Sequence, residues 1–263
     1  MSHTLPEKPA PAPSRENEMR QQLAQLRDQQ ERLFAQLHAG EQHFKQLARS
    51  VWRVQEDERR RLARELHDGI GQHLTALRHR LDVMARASDT APPPPLQQAL
   101  ELCELAIEET RELSRLLRPQ ILDDLGLEAA LRWLARHTNE SADCVVVVEV
   151  GAMLVHVDGD LATLIFRVAQ EALTNARKHA QARNIVLRLS HRADQLHLLI
   201  VDDGVGCDVD TAFAKSSNGQ STGLASIRER VRLFGGRFSL LSQPGEGVQL
   251  RVSLPLPIDE AAA

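Results

Sequence analysis

Apolar residues recur at alternating spacings of four and three at Met19, Leu23, Leu26, Gln30, Leu33, Leu37, Gly40, Phe44, Leu47, Val51 and Val54. Nine of these eleven positions are apolar, Gln30 and Gly40 being the exceptions, and the residues around them are rich in Gln, Arg and Glu. A mean period of about 3.5 residues keeps the set in one seam along a helix, and such a seam needs a partner helix to cover it. The chain is therefore committed to a long helix and to pairing. Between Val54 and Leu62 the apolar spacing is eight, a four-residue insertion that shifts a coiled-coil register.

The next stretch, Glu58–Leu77 (ERRRLARELHDGIGQHLTAL), places Leu62, Leu66, Ile70, Leu74 and Leu77 at spacings of four, four, four and three, which predicts one buried stripe on a continuing helix. His67 and Asp68 lie beside that stripe. An imidazole next to a carboxylate can be a nucleophile with its own base, the carboxylate orienting the ring and accepting the proton released on attack. Gln72 stands four residues beyond Asp68 and is expected on the same face one turn on. A His-Asp pair on a helix is usually an innocent surface pair, so the assignment rests on what the rest of the chain adds.

The helix is expected to reach about Met84, and Ala91–Pro95 must break it, because consecutive prolines lack donors and clash with the preceding turn. A second helix then carries Leu96, Leu100, Cys103, Ile107, Thr110, Ser114 and Leu117 on one stripe and ends at Arg118-Pro119. Two helices joined by a short loop make a hairpin, and two hairpins from a dimer make a four-helix bundle.

After Pro119 the texture changes. Gly126–His137 reads as a short helix, Cys144–Val150 and Met153–Val157 as strands, and Leu161–Ala180 as a helix. Strands are predicted at Asn184–Ser190 and Gln195–Val201, then a loop to Thr222, a helix at Gly223–Phe234, and strands at Arg237–Ser242 and Val248–Leu254. Helices and strands interleave without a strict βαβ rhythm, which predicts a two-layer α/β sandwich on a mixed sheet. The expected segments are a disordered tail (1–14), a coiled coil for signal input (15–56), a helical hairpin (57–118), a linker with its first helix (119–141), the α/β domain (142–257) and a second tail (258–263).

Four features of that domain suit a nucleotide. Glu171, Asn175 and Lys178/His179 form a polar stripe, expected opposite Val168, Ala172 and Ala176, and oxygens and cations on one stripe suit magnesium and the phosphates it bridges. In Ile200–Gly206 (IVDDGVG), Asp202 ends an apolar strand and can accept a hydrogen bond from an exocyclic amine such as adenine's, while Gly204 and Gly206 allow a sharp turn and close approach to a flat ligand. Ser221–Leu224 leads a flexible loop into a helix whose first N–H groups can meet phosphate. Gly245–Val248 could be a plain β-hairpin turn.

Composition narrows the field. A formal net charge of −4 gives no basic footprint for nucleic acid, and 3% aromatic residues with no tyrosine give little to stack bases on. The three cysteines are scattered, with no zinc spacing, and fit a reducing compartment. No apolar run has the length of a membrane span, so the chain reads as cytoplasmic.

In order along the chain, Glu171-x3-Asn175, Asp202-x-Gly204-x-Gly206, Gly223 at a helix start and Gly245-x-Gly247 before the last strand resemble the nucleotide-binding boxes of sensor histidine kinases, which share the gyrase-type (Bergerat) ATPase fold. The His67 helix resembles the phosphoacceptor helix of the nitrate-sensor-like subfamily with its HDxxxQ motif, and Leu117–Leu131 and Glu229–Gly236 are similar to the same subfamily. The resemblance covers roughly Gln55 to Pro255. It implies an α+β multidomain protein: a coiled coil and dimeric four-helix bundle followed by an ATPase sandwich using ATP and Mg2+.

On the same resemblance, His67 receives the γ-phosphoryl group, Asp68 is its base, and Gln72 positions water when a phosphorylated regulator is hydrolysed. Asn175 binds magnesium with Glu171 assisting, Lys178 and His179 face phosphate, and Asp202 reads adenine. Gly204, Gly206, Thr222, Gly223 and Leu224 shape the pocket and its lid. The implied partners are a second copy of the chain and a response regulator with a helix-turn-helix output, with an upstream sensor protein as a source of the signal; direct nucleic-acid contact and a membrane span are not expected. Ser221 stands where the family often has Gly and Val248 where it often has Thr; neither removes a phosphate or metal ligand. Two other readings share parts of the pattern. A serine kinase of the anti-sigma type has no need of the His67 bundle, and a nucleotide-binding adaptor has no need of intact Glu171, Asn175 and Asp202.

Overall fold

A computed structural model describes residues 15–87, 93–117, 120–141, 144–151, 157–217 and 223–256. Both expected tails, the Arg118-Pro119 stop, Ser221, Thr222 and most of the Met153–Val157 strand lie outside these residues; Val157 itself is not in a strand. The chain divides into two units, Met1–Ser50 and Val51–Ala263.

The first unit is the N-terminal part of helix α1 (Arg15–Arg64). Its seam residues stand in solvent, Leu37 being 69% exposed and Phe44 68%. An uncovered apolar row of this kind matches the expected demand for a partner helix.

In the second unit α1 ends at Arg64 and the helix continues as a π-helical segment, Glu65–Gly71, before α2 (Gln72–Arg86). The sequence spacing accounts for the wider turn. Leu62, Leu66, Ile70 and Leu74 are each four apart, so in an α-helix of 3.6 residues per turn the row would drift by about 40° at every step. Under-winding takes up that drift. The stripe is not buried within one chain, contrary to expectation: Leu66 and Leu74 are half-buried, whereas Leu62, Ile70 and Leu77 are 38%, 50% and 48% exposed. The covered position in this stretch is Ala63.

The prolines set the return. Pro93 O accepts bonds from Leu96 N and Gln97 N, and Pro94 opens α3 (Pro94–Leu117), where a missing N–H costs nothing. The expected stripe of α3 faces the hairpin: Cys103, Ile107, Thr110 and Ser114 are buried, Cys103 Sγ lies 3.4 Å from Leu74 O, and Ser114 Oγ donates to Ala63 O at 2.8 Å. A second row, Leu102, Leu105, Leu113 and Leu116, stays exposed on the other side.

Two short helices, α4 (Gln120–Asp124) and α5 (Gly126–Ser141), lead into β1 (Val145–Val150). Helix α6 (Gly159–Asn175) runs into a second π-helical segment, Ala176–Ala180, followed by β2 (Asn184–Arg192) and β3 (Gln195–Asp202). Helices α7 (Val209–Ser217) and α8 (Gly223–Leu233) precede β4 (Arg237–Ser242) and β5 (Val248–Pro255). The five-stranded sheet has the order β1-β2-β3-β5-β4, with β1 parallel to β2 and all other pairs antiparallel. It is the mixed sheet the sequence predicts. Alternate strand residues such as Ile185, Leu187, Leu189, Leu196 and Leu198 are buried with Leu164, Ile165, Phe166 and Val168 of α6, which makes two layers around one core.

The stretch of α1 after Val51 also belongs to that core. Trp52 is 4% exposed and meets Phe234 edge-on, with ring centroids 5.1 Å apart. Glu56 forms a buried ion pair with Arg167 of α6 at 2.7 Å. The seam residues Val51 and Val54 of the same stretch are exposed, at 57% and 67%, while Trp52 and Glu56 are buried.

Candidate functional site

A cavity of about 400 Å³ lies between α6, β3, β5 and the start of α7. Its wall includes Ala172, Asn175, Ala176, His179 and Ala180 from α6 and the π-helical segment, and Ile200, Asp202, Val248 and Leu250 from the sheet. Ala172 and Ala176 were expected on the face opposite Asn175. They line the same cavity, at three residues before and one after it, because a helix face about 100° wide includes such neighbours. The result is an apolar slot with a few convergent polar groups, the usual make-up of a site for a flat heterocycle.

Asp202 ends β3 inside this slot and is buried. Burial raises its carboxyl pKa, partly offset by the backbone N–H groups of Gly204 and Val248. Gly204 N donates to its Oδ1 at 3.0 Å. The neighbouring Asp203 is exposed and does something else: it accepts from Arg183 N, Asn184 N and Asn184 Nδ2 at 2.7, 2.9 and 2.8 Å, tying the start of β2 to the end of β3. These bonds, those from Asn184 first, lower its pKa.

The glycines of the site also make room for protein backbone. A Cβ on Gly204 would lie 2.3 Å from Ala180 O, one on Gly206 (φ +63°) 2.0 Å from Gln243 O, and one on Gly247 (φ +69°) 2.1 Å from Asp202 O. They let protein backbone meet protein backbone. The turn before β5 is clasped to the loop after β3 by Gly245 N to Val205 O (2.6 Å), Cys207 N to Ser242 Oγ (2.8 Å) and Ser242 Oγ to Gly247 O (2.7 Å). The Gly245–Val248 stretch is therefore a hairpin turn whose last residue, Val248, lines the site. Of the expected pocket glycines, Gly206 lines the cavity and Gly204 lies behind it.

Glu171 and Asn175 sit side by side, Asn175 Nδ2 donating to Glu171 Oε1 at 3.2 Å, which leaves the amide oxygen as an acceptor. Among the described residues no group of three or more His, Cys, Asp or Glu could hold a metal by itself. A carboxylate and an amide oxygen fit magnesium, which takes one or two protein oxygens and completes its shell with water and phosphate. Gly223, opening α8, lies against the Glu171 carboxylate: a Cβ there would be 1.8 Å from Oε1. Leu224 lines the cavity, as does His179; Lys178 is exposed and does not. Thr222 lies outside the described residues. Cys207, Asp208, Thr211 and Ala212 also line the cavity and were not foreseen. They belong to the loop predicted to run to Thr222, where the structure has α7. The missed signal is Asp208, whose Oδ1 accepts from Thr211 N at 2.6 Å as a helix N-cap does.

The second candidate site is a groove of about 440 Å³ on the hairpin, lined by His67, Gly71, Gln72, Thr75 and His79 on one side and Ile107, Thr110 and Arg111 on the other. His67 and Gln72, five residues apart, share this groove, in keeping with the wide turn of the segment before Gln72. Asp68 is exposed and does not line it.

Residues 58–122 match the family described as Histidine kinase, and residues 160–258 match the family described as Histidine kinase-, DNA gyrase B-, and HSP90-like ATPase. The chain belongs to the sensor histidine kinases. Its hairpin sequence is of the nitrate-sensor-like subfamily. This sensor histidine kinase is 33% identical over 228 residues to "Sensor histidine kinase MctS" of Rhizobium johnstonii, covering 84% of this chain and 48% of that protein. It is 33% identical over 214 residues to "Sensor protein VraS" of Staphylococcus epidermidis, covering 80% and 59%. The chain thus spans about half the length of these curated relatives. Among solved structures, the histidine kinase domain of the blue-light activated histidine kinase of Erythrobacter litoralis EL346 is similar with a TM-score of 0.44 and 21% identity, over 70% of this chain and 94% of that one. No described helix is long and apolar enough to cross a membrane.

Proposed function

We propose that the chain is an ATP-dependent protein-histidine kinase that phosphorylates itself on His67 and passes the phosphoryl group to an aspartate of a response regulator. The observation that carries this reading is the pairing of two sites in one chain: an apolar slot with the buried carboxylate of Asp202, and a hairpin that presents His67 beside a groove. Asp202 accepts the exocyclic amine of adenine. Asn175 and Glu171 would hold magnesium, which would neutralise polyphosphate charge, and His179, Lys178, Gly223 and Leu224, with Thr222 by sequence, would border the phosphates. Catalysis is then mostly the alignment of His67 with the γ-phosphorus. Asp68 takes the ring proton, turning to His67 from its exposed position, and Gln72 holds the water that hydrolyses a phosphorylated regulator docked at the groove.

The same reading includes a homodimer, formed by the uncovered seam of α1 and the exposed leucines of α3, and a regulator with a helix-turn-helix output. An upstream protein delivering the signal and a cytoplasmic setting, where ATP and reduced thiols coexist, complete it. The segment boundaries follow: coiled coil 15–56, hairpin 57–118, linker 119–141 and ATP-binding domain 142–257.

Labelled ATP supplied to wild type and to His67→Gln is the test. Acid-labile, alkali-stable label should appear on wild type alone; label of that chemistry on the variant would move the acceptor elsewhere.

A further inference from the structure

Two contacts across the hairpin fix its register. Cys103 Sγ lies 3.4 Å from Leu74 O, and Ser114 Oγ donates to Ala63 O at 2.8 Å. Ala63 and Leu74 are eleven residues apart in the chain, as are Cys103 and Ser114, so the helices pass each other in a single antiparallel register between these contacts. Four residues in from the Ala63–Ser114 contact, Thr110 stands opposite His67, and Arg111 comes opposite Leu66. Arg111 is therefore level with His67 to within one residue, a rise of about 1.5 Å, and both line the same groove.

Among the described residues that line this groove, Arg111 alone carries a full charge at neutral pH, and none is a carboxylate. The two threonine hydroxyls of the groove have spent their protons, Thr75 Oγ1 on Gly71 O and Thr110 Oγ1 on Ala106 O, each at 2.7 Å. His79 is twelve residues beyond His67, about 18 Å along the helix, and so belongs to the far end of the groove. Gln72 brings a neutral amide. Arg111 itself is only weakly engaged. Its Nη1 is 3.6 Å from Glu108 Oε2, both side chains are more than half exposed, and Glu108 Oε1 has Arg115 at 3.3 Å. An exposed pair of this kind contributes little, so Arg111 can turn to a ligand in the groove and leave Glu108 with Arg115.

A phosphoryl group carries about −1.5 to −2 charge and three acceptor oxygens, and left uncompensated it repels the aspartate carboxylate that must approach it. We propose that Arg111 receives the phosphoryl group of His67: its guanidinium fork holds two of the phosphoryl oxygens and keeps the phosphorus facing the incoming carboxylate. In that transfer the P–N bond to the ring breaks as a P–O bond to the aspartate forms. The bond pair stays on the ring nitrogen, the ring, protonated on its other nitrogen, leaves as neutral imidazole, and Arg111 keeps its proton throughout. The inference rests on the kinase reading above and adds to it a phosphoryl-binding residue from the second helix of the hairpin, outside the HDxxxQ motif of the first.

The test loads His67 of the full chain without using the ATP site. The probe is phosphoramidate, a small anionic phosphoryl donor, and the signal is the phosphohistidine resonance in phosphorus NMR that His67→Gln lacks. At low ionic strength Arg111→Ala should load His67 about 10-fold more slowly than wild type, the scale of one charge-assisted hydrogen bond. The variant should also lose the fall in rate with added salt that wild type shows, a dependence that a merely structural residue would not confer. Arg111→Lys keeps the charge without the fork and should fall between the two. Arg115→Ala, whose side chain shares Glu108 but does not line the groove, should load as wild type does. With ATP as donor, Arg111→Ala should label slowly while ATP affinity by calorimetry is unchanged, since Arg111 does not line the slot. Wild-type loading of Arg111→Ala, or an equal loss in Arg115→Ala, overturns the proposal. Should Arg111→Ala not fold, Arg111→Gln, which keeps the stem, replaces it with the same expected loss, and no loss is a negative result. Absence of His67 label from ATP on wild type would refute the kinase reading instead, and phosphoramidate loading would still judge Arg111.

Discussion

The sheet domain and the helical hairpin solve the problem of apolar surface in opposite ways. The sheet domain closes its core within one chain: Leu164, Leu187, Leu189, Leu196 and Leu254 are fully covered. The hairpin spends its small and polar residues, Ala63, Cys103, Thr110 and Ser114, on its internal contact and leaves Leu102, Leu105, Leu113 and Leu116 outside. A domain that is complete alone can bind a ligand alone. A hairpin with its leucines outward is, on the proposed homodimer, half of an object, and a second copy would complete what it presents, His67 included.

The sharpest way to break this contrast is Leu105→Glu with Leu113→Glu. Each change places a charge where a bundle core would be, at least about 2 kcal/mol per site. Sedimentation should show the variant dissociating at concentrations where wild type is dimeric, with ATP binding by the sheet domain unaffected. A variant that remains fully dimeric would mean those leucines face nothing. The converse is Gly206→Ala, which strains a positive φ and collides with Gln243 O. It should lower stability of the sheet domain by roughly 1–3 kcal/mol, remove nucleotide binding and leave the dimer intact. Normal ATP affinity in that variant would disprove the clasp as a wall of the slot.

Adjacent aspartates sharpen the comparison within the slot. The folded-state pKa of Asp202 is raised, so the group favours folding at low pH and that contribution is lost as pH rises through the raised value. On the proposed function its ionised form would accept the adenine amine, so ATP affinity should fall as pH drops through the same raised value. Asp203 has the opposite sign: its lowered pKa gives stability present above the ordinary aspartate value and lost as pH falls through the lower one. Calorimetric ATP titrations and thermal melts against pH should show the binding loss before the Asp203 stability loss; Asp202→Asn should erase the first step only. The smallest effect is expected at Arg188→Ala, which removes the cross-strand pair with Glu149 on the exposed face at 2.6 Å. Both partners are about half exposed, so chemical denaturation should show about 0.2–1 kcal/mol and no change in ATP affinity.

What the sequence disclosed followed from local period and from chemistry that few residue types can perform. Strand limits, the α3 stripe and the placement of Asn175, Asp202 and Gly206 at one cavity were all readable in this way. The π-helical turns were not, because a row of four-residue spacings looks like an α-helical stripe until its drift is added up. Helix α7 was hidden because Asp208 caps it from inside a stretch that ends in Ser, Asn and Gly. The Glu56–Arg167 pair spans 111 residues and joins two elements by a contact that leaves no periodic trace in either. Gly204 and Gly247 were legible as glycines with a purpose, but the atoms they make room for, Ala180 O and Asp202 O, come from distant segments.

The strand order has a consequence for the order in which the protein is made. Strand β5 lies between β3 and β4 although it follows both in the chain, and it supplies Val248 and Leu250 to the slot while Gly247 abuts Asp202. As the chain leaves the ribosome, β3 therefore waits with one edge open, and Asp202 has no opposite wall, until the strand that separates it from β4 has been synthesised and inserted. Such a non-local pairing is among the late events of folding. The hairpin, whose residues all precede position 118, can make its internal contacts before β5 has been synthesised. On the proposed function, a nascent molecule would display His67 early and acquire its place for nucleotide last, so that an unfinished chain would have nothing with which to charge itself.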